Sequence, residues 1–139
     1  MDDSSRYVLL CDKADMLQRL WSIQLGDWFA LVPRVADATG VKVAVVGVVV
    51  DRTFTSQVSA KVVWLPRFDQ LVKLVKAPIH WWSISVSELG WHVVGRRSDS
   101  TEFYPEVVEF SESPEQALLH TVMYCRWNKH WDRSTGEWV

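Results

Sequence analysis

Apolar positions change their period several times along this chain, and each change marks an element. Tyr7 to Leu10 is a short apolar run that reads as an edge strand. From Asp12, a capping residue, the period becomes helical. Leu17, Leu20, Trp21 and Leu25 recur at the three/four spacing of one buried face, and Gly26 is a stop signal. Gln18, Arg19, Ser22 and Gln24 fall on the opposite, polar face. Trp28 to Val32 reads as a strand ended by Pro33, and Arg34 to Gly40 as a connector. Val41 to Val50 is apolar at almost every position, the pattern of a central strand covered on both sides. Gly47 within it points to a bulge or bend. Asp51 to Gln57 makes a polar turn, and Val58 to Trp64 returns as the next strand.

Pro66 opens a second helix, with Phe68, Leu71, Val72 and Val75 on one face and Pro78 as its stop. Ile79 to Glu88, Trp91 to Arg97 and Glu106 to Phe110 then read as strands, the first two joined by a tight turn at Leu89-Gly90. Arg96 to Thr101 is a polar loop tip. Ser113-Pro114-Glu115-Gln116 carries the signs of a helix start: a capping Ser, Pro at the first position and a capping-box Gln. Leu118, Val122 and Cys125 form its stripe, widened by Leu119 and Met123, and the helix runs to about Asn128. The tail places Trp131 and Trp138 around Asp132 to Gly136, a turn that folds back so that the indoles pack.

The order is helix, three strands, helix, three strands, helix. It predicts an α+β fold: two small antiparallel sheets, or one curved mixed sheet, packed with three helices. At 139 residues the chain is expected to form a single domain, residues 1–139, with sub-lobes 1–65 and 66–139 divided near Leu65-Pro66.

Composition narrows the function classes. The chain is 48% hydrophobic and 23% charged, as in globular domains rather than disordered ones. A net charge of -2 argues against a dedicated DNA binder, which needs a basic surface. The acidic, polar start and an apolar run no longer than Val43–Val50 argue against a targeting signal or membrane span, so a cytoplasmic setting is expected. Cys11 and Cys125 then read as free thiols. Nine tryptophans are the outlier. Most are expected in the core, with some left for interfaces and stacking.

Catalytic and cofactor motifs do not stand out. His80, His92, His120 and His130 lack the spacing of a zinc site, and no Cys-x₂-Cys accompanies them. There is no Gly-x-Ser-x-Gly elbow and no glycine-rich phosphate loop. No metal or cofactor is expected. Glu102, Glu106, Glu109 and Glu112 read as solvated edge charge. The enzymatic alternative is carboxylate chemistry around Glu106 and Glu109, joined by His80 or His92.

The candidate binding residues are Trp81, Trp82, Trp91, Arg96 and Arg97. Successive strand side chains point to opposite faces, so Trp81 and Trp82 cannot both enter one core. An indole left outside can anchor a protein interface. Beside Arg96 and Arg97 it can instead stack a base while the cations pair a phosphate.

The run Trp64-Leu65-Pro66-Arg67-Phe68-Asp69-Gln70-Leu71 resembles a Trp-Leu-Pro-Arg-x-Asp-Gln-Leu segment of small phage and prophage proteins. Ser113 to Leu118 and the tail Trp131-Asp132 … Gly136-Glu137-Trp138 are similar to the same group, so the likeness covers roughly the second half of the chain. Those proteins have no assigned activity, and no catalytic residue carries over. The resemblance implies a phage-type accessory protein that acts by binding a host or phage protein, a host-defence antagonist for example. Self-association and nucleotide sequestration are the other expected modes, and enzymatic activity is not expected.

Overall fold

The computed structural model describes residues 1–35, 44–50, 60–75, 79–97, 103–104 and 110–139, with the backbone alone at 79–81, 96–97 and 103–104. The expected strand at Glu106–Phe110 lies outside the described residues, apart from Phe110. The fold is α+β, with four helices and small antiparallel sheets among the described residues. The chain forms two compact units, Asp3–Arg67 and Met1–Asp2 with Phe68–Val139.

The first unit begins with helix α1 (Ser5–Lys13), where the reading of Tyr7 to Leu10 predicted a strand. Tyr7, Leu10, Cys11, Ala14 and Leu17 are all fully buried. Their spacing of three and four is helical once the run is read past Leu10. Ser4 caps α1 by accepting the Tyr7 N–H at 3.1 Å. A short helix α2 (Asp15–Gln18) follows, and helix ends there rather than at Gly26. Leu17 is therefore buried, while Leu20 and Leu25 of the expected buried face are 43% and 59% exposed.

Strand β1 (Trp28–Pro33) lies between β2 (Val45–Val48) and β3 (Ala60–Leu65), both antiparallel to it. The valine-rich stretch is thus an edge strand of this sheet among the described residues, not its centre, and Val45 and Val50 are exposed. Apolar residues on both faces of a strand do not require neighbours on both edges. Gly47 sits in regular register with Phe29. A Cβ there would lie 2.9 Å from the Phe29 ring, so close ring packing explains the glycine, and no bulge is needed. Ala30, Val63 and Leu65 are buried and share one sheet face, and α1 packs against β3. On the other face Trp21 stacks parallel to Trp64, with centroids 6.3 Å apart.

The conspicuous Trp64–Leu71 run has a structural account over its first half. Gln18 Oε1 accepts the Trp64 N–H at 2.7 Å, and Gln18 Nε2 donates to the Trp64 carbonyl at 3.1 Å. The Pro66 carbonyl accepts the Tyr7 hydroxyl at 2.6 Å, and Arg67 donates to the Gly26 carbonyl at 2.6 Å.

In the second unit, helix α3 (Phe68–Leu74) buries Leu71 and packs against helix α4 (Pro114–Trp127). Strands β4 (Ile79–Ser87), β5 (Gly90–Arg97) and β6 (Phe103–Tyr104) form an antiparallel sheet in that order. The α4 start is as read. Ser113 caps the Gln116 N–H at 3.1 Å. Asp2 adds to this turn, accepting from the Ser113 hydroxyl and from Gln116 Nε2. Every residue from Glu115 to Met123 is buried, so α4 is enclosed on all sides there rather than along one stripe; Cys125 is only half-buried. Asn128 ends the helix in the left-handed conformation that a C-cap favours. The tail folds back as expected. β7 (Trp131–Asp132) pairs with β8 (Glu137–Trp138), and the two indoles meet edge to face at 5.2 Å.

Candidate functional site

The candidate residues lie on the β4–β5 hairpin, whose register decides which of them can act together. Trp81 is paired with Arg96, Trp82 with Gly95 and Val86 with Trp91. Trp91 therefore lies at the turn end, four residues or about 13 Å along the hairpin from the Trp82 pair. It is five residues, about 17 Å of strand, from Arg96. Arg97 is in register with Ile79, beyond an irregularity between Ile79 and Trp81. The register thus brings Trp81 and Arg96 together and separates Trp91 from both arginines.

Alternation gives the hairpin two different faces. Trp82, Ile84 and Val86 share one face with Gly95, Val93 and Trp91. Val93 and Gly95 are buried there, and Trp82, Ile84 and Trp91 are half-buried. On the other face Ser83, Ser85 and Ser87 are exposed. Towards the tip the apolar face loses its cover. Val86 is 61% exposed, and Leu89 in the turn is 73% exposed. The two-residue turn Glu88-Leu89 depends on Gly90, whose φ is +121°. A Cβ at Gly90 would lie 2.6 Å from the Ser111 carbonyl oxygen. The missing side chain lets Ser111 approach β5, where it exchanges two backbone hydrogen bonds of 2.8 Å with Trp91.

Other sites raised by the sequence are weaker. Glu102, Glu106 and Glu109 lie outside the described residues, and Glu112 is exposed. His92 packs edge-on against Phe110 with centroids 5.2 Å apart, and its buried Nδ1 has no hydrogen-bond partner among the described residues. Among the described residues no group of three or more His, Cys, Asp or Glu side chains is placed to hold a metal. No described helix is long and apolar enough to cross a membrane.

No family model, curated protein or solved structure matches the chain. The site must be read from its own chemistry.

Sequence reasoning missed two features. Leu20, Ile23 and Leu25 are exposed after α2, because helix ends at Gln18 and the periodic face is not completed. Only three of the eight indoles with described side chains are buried: Trp64, Trp131 and Trp138. Trp21, Trp28, Trp82, Trp91 and Trp127 are half-buried. The tryptophan excess therefore goes to partly open surfaces more than to the core that was expected to take most of it.

Proposed function

We propose that this chain is a non-enzymatic accessory protein of phage type, acting by binding another protein through the tip of the β4–β5 hairpin. The observation that carries this reading is the uncovered apolar tip, where Val86 and Leu89 stand exposed beside half-buried Trp91. Large exposed aliphatic residues next to an amphipathic aromatic favour a protein interface, where their burial contributes to affinity. The resemblance of Trp64–Leu71 to phage and prophage proteins supports the setting, and a host-defence protein is one partner class that fits it.

A photo-reactive residue in place of Leu89 tests the reading in cells that make the protein. It should capture one defined protein chain, while the same residue in place of exposed Ser134 captures none.

The pairing of Trp81 with Arg96 favours a second reading, a nucleotide ligand with its base stacked on the indole and its phosphate on the guanidinium. Tryptophan fluorescence titrated with cyclic and linear nucleotides should then be quenched. No quenching at high micromolar ligand would remove this reading.

A further inference from the structure

We propose that β4 is a self-pairing edge, and that two copies of the chain join antiparallel along it about a twofold axis at Ile84. The proposal concerns the edge of the hairpin and shares exposed Val86 with the protein-binding reading, which otherwise rests on Leu89 in the turn.

β4 is the outermost strand of its sheet, and among the described residues nothing pairs with its other edge. The direction of its backbone groups follows from Trp91. Both the N–H and the C=O of Trp91 are bonded to Ser111, so they point away from β4. The Val86–Trp91 pair is therefore the non-hydrogen-bonded kind. Alternation then turns the N–H and C=O of Ser83, Ser85 and Ser87 towards β5, and those of Trp82, Ile84 and Val86 towards the open edge. The tight turn agrees, since residues flanking a two-residue turn, here Ser87 and Gly90, exchange both bonds.

Charge and proline, two of the usual protections of an edge, are missing from residues 81–87 of this strand. The register irregularity falls outside them, between Ile79 and Trp81. A second copy is the occupant that the sequence fits best. A twofold axis sets each residue against one of the same strand, which a charged strand resists and a neutral one permits. With the axis at Ile84, Ile84 faces Ile84, Trp82 faces Val86, and Ser83 faces Ser85. The three outward-directed positions are then the hydrogen-bonded ones, giving about six new backbone bonds. Their side chains make a continuous apolar ladder that covers exposed Val86, and the serine hydroxyls meet on the opposite face.

Sedimentation equilibrium of the full chain, run from micromolar to near-millimolar concentration, should show the mass rising from 16.1 kDa to twice that value. Hydrogen exchange followed by NMR at both ends of the range supplies the register. The amides of Trp82, Ile84 and Val86 should slow at least tenfold as the dimer forms, while those of Ser83, Ser85 and Ser87 are protected throughout. Val86→Pro removes an outward N–H and leaves the bonds to β5 intact, so it should remain monomeric with its sheet preserved. A single-chain mass over the whole range would overturn the proposal. So would a dimer in which the amides of Trp82, Ile84 and Val86 stay fast, or a folded Val86→Pro chain that still dimerises. The dimer register would set Leu89 opposite residue 79 of the second copy. A self-cross-link from position 89 therefore counts for the dimer and capture of a different chain counts for the tip reading, and the two readings fail separately.

Discussion

Gln18 satisfies the Trp64 backbone on the edge of β3 that no described strand pairs. Its amide presents an acceptor to the Trp64 N–H and a donor to the Trp64 carbonyl, as a neighbouring strand would, and also donates to the Cys11 carbonyl at 3.0 Å. Residues 63–66 are buried, so these backbone groups have little water to fall back on. Gln18→Ala should lower stability by about 2 kcal/mol, the cost of leaving buried donors and acceptors unpaired. Gln18→Glu, which keeps the acceptor but turns a carboxylate oxygen against the Trp64 and Cys11 carbonyls, should destabilise at least as much. Urea unfolding measures both, and an unchanged midpoint for the alanine variant would contradict this role. In the sequence Gln18 sits on the polar face of a helix and reads as solvent-exposed. Its role arises from where the helix stops, and propensity does not set that stop. Asp27 is a similar case. Its buried carboxylate accepts from the Trp21 indole and the Gln24 N–H, each at 2.8 Å, and so fixes the turn that enters β1.

At the scale of elements, local signals decided some outcomes and neighbours decided others. The α4 boundaries were legible because caps act within one turn: Ser113 and Pro114 at the start, Asn128 at the end. The β4–β5 hairpin was legible because its turn depends on one glycine, but the turn falls on Glu88-Leu89, one residue before the expected Leu89-Gly90. α1 was misread because its periodic residues continue beyond the apolar run that drew attention. Among the described residues β2 is an edge strand where the valine pattern predicted a central one, because burial of side-chain faces carries no information about strand edges. The candidate site was legible in part. Alternation separates Trp81 from Trp82 in any strand, but the distance from Trp91 to Arg96 matters only once the register is known.

The C-terminal β7–β8 hairpin offers an element-scale test. Ser134 hydrogen bonds to Asp132, first from its hydroxyl and then from its backbone N–H, hold the Asp132 carboxyl below the ordinary aspartate range. A depressed carboxylate pKa contributes stability above the ordinary value, and that contribution is lost as pH falls through the depressed one. Protection of the Ser134 amide, corrected for intrinsic exchange, should therefore drop at strongly acid pH and stay flat from there to neutrality. Asp132→Ala should abolish the dependence. A protection profile that ignores pH in the parent chain would contradict it.

At the scale of the whole molecule, two compact units each spend tryptophans differently from a simple core. In the first, Trp64 is buried against a stacked, half-buried Trp21; in the second, Trp131 and Trp138 close the tail while Trp82 and Trp91 stay partly open. Half-buried indoles and exposed aliphatic residues on one hairpin are a poor use of apolar surface for a chain that works alone, and a good one for a chain that works by contact. That contact is the central claim, and capture from position 89 tests it most directly. A photo-reactive residue there should yield one specific cross-linked chain other than the protein itself, and Ser134 as the control position should yield none. Equal capture from both positions, or none from position 89, would contradict the account.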